Sequence, residues 1–223
     1  MAVRFRSPAP PMIKLSELKG QKFVRDFRIV LKDIEPYVRA GKPLWHGRDF
    51  TNFSLRPREI WALWLLCVVF NWIGKTDLTF GEDDESDGVL VDKRSGDMIK
   101  VENVAAMDFP KSKLPKGEDR IIQAIQHKAK KGAKYATGKI LVVFFDGAGI
   151  FYPNKIAKAV NGKHDFERVY LVGLLNDKGG TEYSYSVLEL NEQNTSAAIV
   201  KIDPSFSSWS VSGINEAFSN KLP

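Results

Sequence analysis

Cysteine and histidine are scarce in this chain, and their scarcity excludes several kinds of protein. Among 223 residues there are one cysteine, Cys67, and three histidines. A single cysteine can form neither an internal disulfide framework nor a cysteine-built zinc site. Because disulfide-poor sequences are typical of reducing compartments, we expect a cytoplasmic protein.

Long hydrophobic runs are also missing. The most apolar stretch covers residues 60–73 and is broken by Asn71. A helix that crosses a bilayer needs about 20 consecutive apolar residues, so we expect no membrane span. The stretch is instead typical of a helix buried on all sides in a protein core. No targeting segment is expected at residues 1–12, where several prolines follow two arginines.

Neither sign of charge dominates the composition. There are 33 Lys and Arg residues against 27 Asp and Glu residues, which gives a formal net charge of +6. Hydrophobic residues make up 43% and charged residues 27%, a globular balance that excludes wholesale disorder. The modest positive charge permits a nucleic-acid partner without requiring one.

Hydrophobic periodicity predicts the order of the elements. The patterns predict helices at 15–40, 58–73, 118–136 and 152–160, and strands at 78–81, 87–92, 98–106, 140–145, 168–175 and 182–190. This order predicts the α/β class, with a mixed central β-sheet flanked by helices. The chain is expected to divide into an N-terminal arm and helix (1–45), an α/β core (46–190) and a weakly patterned C-terminal extension packed on the core (191–223).

Acidic residues concentrate at one predicted hairpin. They are Asp83, Asp84, Glu85 and Asp87 before or at the start of one strand, and Glu102 on the next. A turn at 93–96 places Asp87 directly opposite Glu102. Two facing carboxylates repel each other, and a divalent cation relieves that repulsion. Such oxygen ligands suit Mg²⁺ or Mn²⁺. The segment 82–87 also has the composition of a solvated turn.

Residues 56–146 resemble the core of the PD-(D/E)xK nuclease superfamily, the restriction-endonuclease-like fold, which runs helix, three-stranded meander, helix, strand. Ser86-Asp87-Gly88-Val89-Leu90 stands where the family has Pro-Asp followed by apolar residues. Lys100-Val101-Glu102-Asn103-Val104 stands where the family has an apolar residue followed by Glu-x-Lys. The resemblance implies that Asp87 and Glu102 bind metal. Glu59 matches a glutamate that often joins the family's site from the preceding helix.

The family's motif lysine, two residues after the glutamate, is replaced here by Val104. Lys100 lies two positions before Glu102 and points to the same side of the strand. Lys128 lies on the following helix, about 20° around the axis from the apolar Ile121, so its long side chain can reach the sheet edge. We favour Lys128 over Lys100 as the replacement. If neither lysine serves, the domain binds DNA without cutting it.

The resemblance implies a metal-dependent DNA endonuclease, in one form a type II restriction enzyme, that uses Mg²⁺ or Mn²⁺. Asp87, Glu102 and Glu59 are the expected metal ligands, and Lys128 or Lys100 is the expected catalytic lysine. The expected contacts with DNA phosphates are Lys111, Lys113, Lys116 and Lys131. A homodimer is one expected assembly. The alternative function is a catalytically inactive nucleic-acid-binding or interaction protein on the same fold.

Three of these residues also have ordinary structural interpretations. Glu59 follows the start of a predicted helix, where the helix dipole favours an acidic surface residue. Lys100 has the position of a surface charge that pairs with a residue on a neighbouring strand. Lys128 begins a lysine-rich segment, which is typical of a solvated helix face. The sequence leaves these alternatives open.

Overall fold

The computed structural model describes residues 13–14, 22–40, 44, 50, 53–74, 76–106, 117–145, 150–192 and 197–213. Within them lie five α-helices and nine β-strands. The helices are α1 (Phe27–Ala40), α2 (Pro57–Gly74), α3 (Glu118–Ala129), α4 (Ala133–Ala136) and α5 (Pro153–Val160). The strands are β1 (Ile13–Lys14), β2 (Leu78–Gly81), β3 (Val89–Asp92), β4 (Asp97–Ala105), β5 (Lys139–Phe144), β6 (Arg168–Asn176), β7 (Tyr183–Glu189), β8 (Ala197–Ile202) and β9 (Trp209–Gly213).

All nine strands belong to one mixed sheet. Its order is β2-β3-β4-β5-β6-β7-β8-β9, and β1 pairs with β4 outside this path. β5 runs parallel to both β4 and β6, whereas the other neighbours are antiparallel. The predicted mixed α/β class is therefore confirmed, and so is the interior position of the apolar strand at 140–145.

Helices cover both faces of the sheet. Along β5, Val142 and Phe144 pack in the core that α2 covers, whereas Leu141 and Val143 pack in the core under α3 and α5. This alternation follows from the two-residue period of a strand. The chain therefore forms three layers, helix, sheet and helix.

The helix α2 is apolar around most of its circumference and is buried along most of its length. Trp61 and Trp64 are fully buried, as the sequence predicts for this segment. Burial also raises the pKa of the Cys67 thiol well above its usual range, and a protonated buried thiol is unreactive. No helix among the described residues is long and apolar enough to cross a membrane.

The first predicted helix is shorter than its apolar pattern indicates. The pattern predicts a helix over 15–40, but α1 begins at Phe27. The backbone N–H of Val24 donates a hydrogen bond to the carbonyl of Phe80, 2.9 Å away, so the chain just before α1 is extended along β2. A tertiary partner that the local pattern does not reveal therefore overrides helix propensity. Residues 15–21 lie outside the described residues.

Two further parts of the chain differ from the sequence prediction. The single helix predicted over 118–136 divides into α3 and α4 at Gly132, which has a φ of +84°. β8 and β9 form where the sequence predicts no element. Ala198, Val200 and Ile202 alternate into the core beneath α2, but Lys201 is the one polar residue of β8, so the sequence shows little of the apolar-polar alternation that predicts a strand. The remaining predicted elements begin and end within two residues of the observed ones.

Candidate functional site

The site lies where β3 separates from β4. Val89 pairs with Lys100, in the register that the hairpin turn predicts. The prediction that Asp87 opens the strand is wrong, because β3 begins two residues later. Gly88 has a φ of +144°, and a Cβ atom there would lie 2.5 Å from the Leu63 side chain. The chain therefore bends at this glycine and leaves Asp87 beyond the end of the ladder.

The Asp87 carboxylate turns back onto β4. Its Oδ2 accepts a hydrogen bond from the backbone N–H of Asn103 at 2.7 Å and another from Lys128 Nζ at 2.9 Å. The side chain is 32% exposed, so one carboxylate of the site faces solvent. Asp87 thus lies beside Glu102, as the predicted register requires.

Lys128 lies between the two carboxylates. Its Nζ is 2.8 Å from Glu102 Oε2, 2.9 Å from Asp87 Oδ2 and 3.0 Å from the Tyr135 hydroxyl. Burial lowers the pKa of Lys128, but its hydrogen bonds with Glu102 and Tyr135 and the charge of Asp87 have the larger effect, so the pKa is raised. The repulsion expected between two facing carboxylates is therefore compensated by a lysine ammonium group.

Glu102 is the most buried charge of the site, with 3% of its side chain exposed. Its Oε2 accepts hydrogen bonds from Lys128 and from the Tyr135 hydroxyl, and its Oε1 accepts one from Lys139 Nζ at 2.9 Å. Burial raises the pKa of Glu102, but the hydrogen bonds from these three donors outweigh burial, and the pKa is lowered. Glu102 is thus a fixed carboxylate whose charge is paired on both oxygens.

Sequence reasoning missed Lys139, the first residue of β5. The parallel register pairs Lys139 with Lys100 and Leu141 with Glu102, so Lys139 projects from the same face of the sheet as Glu102. Its Nζ also donates to the backbone carbonyl of Glu85 at 3.0 Å. The hairpin pattern fixes the register of β3 against β4 but carries no information on β5. A signal for this lysine would require knowledge of the parallel pairing.

Sequence reasoning also missed Tyr135, which lies on α4. Its ring is 4.6 Å from Lys139 Nζ, in cation-π contact, and its hydroxyl donates to Glu102. Burial and the neighbouring carboxylate raise the pKa of Tyr135 to about 12. In a continuous helix over 118–136 this residue would share the face of Lys128 but lie about 10 Å farther along the axis. The turn at Gly132 is therefore the feature that brings Tyr135 to the site.

Lys100 does not contact Asp87 or Glu102 in the structure. Its Nζ forms an ion pair with Glu85 and lies 3.6 Å from Asp83 Oδ2. The acidic segment therefore divides into two parts, one paired with Lys100 and one with Lys128. Of the two lysines predicted from the sequence, only Lys128 lies between the predicted metal ligands.

Glu59 lies at the start of α2. Its Oε2 accepts the backbone N–H of Arg56 at 2.9 Å, which is half of a helix capping box. Burial, together with the negative charge of Asp87, raises the pKa of Glu59. No three or more His, Cys, Asp and Glu side chains within the described ranges form a group that could hold a metal ion. Glu59 therefore does not complete a three-residue cluster with Asp87 and Glu102.

Buried polar atoms without hydrogen-bond partners lie on the α2 side of the same strand. Asn103 is buried, and neither its amide nitrogen nor its amide oxygen has a hydrogen-bond partner in the part of the chain that the structure describes. The same holds for Arg58 Nε and Trp61 Nε1. Unpaired buried polar atoms are uncommon in folded proteins and cost stability. The unpaired atoms therefore lower the stability of the fold where α2 packs on the part of β4 that carries Asn103.

One of the four lysines expected to contact DNA is described. Lys131 is exposed on the turn after α3, where its Nζ lies 3.3 Å from the Tyr135 hydroxyl and 4.3 Å from the centre of the tyrosine ring. It therefore borders the candidate site. Lys111, Lys113 and Lys116 lie outside the described residues.

The two carboxylates fit a magnesium or manganese ion by the chemistry of their oxygen atoms. Mg²⁺ in proteins keeps several waters and is commonly held by one or two carboxylates together with substrate phosphates. Asp87 and Glu102 already converge on one positive charge, Lys128 Nζ. The partly exposed Asp87 leaves an approach from solvent.

Comparisons with protein-family models, curated proteins and solved structures find no match to this chain. The geometry of the site is thus the basis on which we infer a function.

Proposed function

We propose that this protein is a metal-dependent nuclease that hydrolyses phosphodiester bonds of DNA on a restriction-endonuclease-like core. The observation that carries the proposal is the convergence of Asp87 and Glu102 on Lys128 Nζ, where β3 separates from β4. The element order α2-β2-β3-β4-α3-β5 supports it, because it is the order of the family that residues 56–146 resemble. In this proposal Lys128 on α3 supplies the cation that the family's motif lysine supplies, because Val104 stands at the motif position in this chain.

In this proposal Asp87 and Glu102 hold Mg²⁺ or Mn²⁺. Such an ion activates water and neutralises charge on the phosphate. Asp87 faces solvent, where substrate approaches, whereas the buried Glu102 is fixed by its hydrogen bonds with Lys139 and Tyr135. Lys128 supplies the cation that orients the attacking water and steadies the phosphate.

DNA binding in this proposal is mainly electrostatic. Lys131 borders the site, and Lys111, Lys113 and Lys116 add positive charge within ten residues after Ala106 in the sequence. Contacts of this kind neutralise backbone phosphates, so binding weakens steeply as salt is added and carries little sequence preference.

A plasmid-cleavage assay with carboxylate variants tests the proposal. The parent protein is expected to nick supercoiled DNA with Mg²⁺ or Mn²⁺ and not with EDTA. Asp87→Asn and Glu102→Gln should lose cleavage, whereas Glu85→Gln should keep it, because the exposed Glu85 side chain pairs with Lys100 instead. A parent that cuts with neither metal, or a Glu102→Gln variant that cuts like the parent, contradicts the proposal.

A second candidate function is nucleic-acid binding without cleavage. The observation that favours it is the charge balance of the site, since Lys128 and Lys139 together compensate Asp87 and Glu102 by hydrogen bonds. A compensated cluster can be purely structural. In that case the protein should retard DNA in a gel equally with Mg²⁺ and with EDTA, and millimolar metal should not raise the melting temperature of the protein.

A further inference from the structure

Two lysines contact the Glu102 carboxylate, each on a different oxygen. Lys128 contacts Oε2, at 2.8 Å, and Lys139 contacts Oε1, at 2.9 Å. Their other partners differ as well. Lys128 reaches Asp87, whereas Lys139 reaches the backbone carbonyl of Glu85. The two ammonium groups therefore have different surroundings although they share one carboxylate.

Lys128 occupies the position that a shared metal ion requires. Glu102 Oε2 and Asp87 Oδ2 both contact Lys128 Nζ, and Glu102 Oε1 is already held by Lys139. The oxygen that Glu102 presents toward Asp87 is thus the one that Lys128 contacts. A dication and an ammonium group cannot share these two oxygens, because they would repel each other at contact distance. An ion bound by both carboxylates must therefore displace Lys128.

Lys139 is held away from that position. Besides Glu102 Oε1 and the carbonyl of Glu85, its Nζ contacts the face of the Tyr135 ring at 4.6 Å. Its backbone is part of β5, between two paired strands, and its side chain is only 12% exposed. These contacts do not use the oxygens that face Asp87. Lys139 can therefore keep Glu102 in place while Lys128 moves.

We infer that the two lysines act in opposite ways at the metal site, an inference that rests on the proposed function. Lys139, supported by Tyr135, is a positioning residue that holds Glu102 ready to accept a metal ion. Lys128 is a resident cation that stabilises the metal-free protein and competes with the ion for Asp87 and Glu102. Once displaced, its ammonium group is available to the anionic substrate.

Metal binding without DNA tests this inference, because it separates the two lysines by the sign of their effect. Isothermal titration calorimetry with Mn²⁺ and with Ca²⁺ compares the parent with Lys128→Met, Lys139→Met and the control Lys100→Met. Lys128→Met should bind on the order of tenfold more tightly, because a competing charge is removed. Lys139→Met should bind about tenfold more weakly, as when a residue that orients a metal ligand is lost. Lys100→Met should bind like the parent.

Three further measurements separate an effect on the metal site from misfolding. Circular dichroism establishes that each variant is folded, and Lys139→Arg, which retains a cation at the same position, should recover part of the lost affinity. Lys128→Met should melt at a lower temperature than the parent in EDTA and show the larger metal-induced rise, because Asp87 and Glu102 lack their shared ammonium group until metal binds.

The possible results distinguish the inference from the proposed function. If the parent binds metal and Lys128→Met binds it equally or more weakly, Lys128 does not compete, and the inference is overturned while the nuclease proposal stands. If Lys139→Met binds metal like the parent, Lys139 has no positioning role. If neither the parent nor Lys128→Met binds either metal, both the inference and the proposed function fail.

Discussion

Lys128 Nζ lies 2.8 Å from Glu102 Oε2, and this ion pair joins the last turn of α3 to the middle of β4. Neither element alone explains the contact. The helix brings Lys128 to the sheet because its apolar stripe, which includes Ile121 and Ile125, packs on the same face from which Glu102 projects. The pair makes the site a compensated charge cluster in the absence of metal, so the stability of the metal-free protein depends on it.

Glu102→Gln should destabilise the metal-free protein strongly. The substitution leaves two lysines beside a neutral side chain that is 3% exposed, and breaking such a buried pair costs about 3–5 kcal/mol. Asp87→Asn should cost less, about 1 kcal/mol, because Asp87 is a third exposed. Urea denaturation in EDTA measures both values. A Glu102→Gln variant as stable as the parent would show that the charge pairs contribute nothing net.

The stability difference between the parent and Glu102→Gln should depend on pH, because the pKa of Glu102 is lowered in the folded protein. A carboxyl whose pKa is lower in the folded protein contributes stability that is fully present above its unfolded pKa and is lost as pH falls through the folded pKa. The stability gap between the parent and Glu102→Gln should therefore be constant near neutral pH and narrow below the ordinary value of 4.5. Urea denaturation at several pH values in EDTA measures the gap. A gap that widens on acidification contradicts the direction of the shift.

Part of this site could be predicted from the sequence. The turn at 93–96 fixes the hairpin register, and the helical period brings Lys128 toward the sheet. These signals are local, because each depends on residues within one hairpin or one helix. Lys139 could not be found in this way, because it depends on the parallel pairing of β4 with β5. Tyr135 depends on the end of α3 before Gly132, whose φ of +84° is a local stop signal that the helix predicted over 118–136 runs through.

The fold shows the same division between local and distant causes. The strongly apolar segments that form α2 and β5 lie where the pattern predicts them, since their burial leaves few alternatives. The start of α1 and the strands β8 and β9 were missed. At those places pairing with the edges of the sheet decides the structure, and an edge partner leaves little trace in the local sequence.

Asn103→Leu should leave the protein equally stable or stabilise it. The Asn103 amide is buried without a hydrogen-bond partner among the described residues. Burying an unpaired polar group costs about 1 kcal/mol, and an apolar side chain of similar size removes that cost. The backbone N–H that Asp87 accepts is unaffected. Thermal denaturation measures the change.

Asn71→Leu is the matched control for this substitution. The Asn71 side chain makes three hydrogen bonds, two to the backbone of Leu78 and one to the Thr76 hydroxyl. Loss of these hydrogen bonds should lower the free energy of unfolding by about 1–3 kcal/mol. If both asparagine variants are destabilised equally, the Asn103 amide has a partner in solution. Reduced cleavage by a stabilised Asn103→Leu variant would indicate that the amide serves function at the expense of stability.

Gly88→Ala should both destabilise the protein and weaken the site, because Gly88 sets the bend that places Asp87. A φ of +144° is strained for any residue with a Cβ atom, at about 1–3 kcal/mol, and the new methyl group would also press on the buried Leu63. Gly179→Ala is the control. Gly179 has a φ of +67° and open space around its Cα, so only a left-handed backbone cost of about 1 kcal/mol is expected there.

Relief of the bend in Gly88→Ala should move the Asp87 carboxylate away from Lys128 and lower metal affinity, measured by calorimetry with Mn²⁺. Gly179→Ala should bind the ion like the parent. Equal metal affinity in both glycine variants would mean that the position of Asp87 does not depend on the bend.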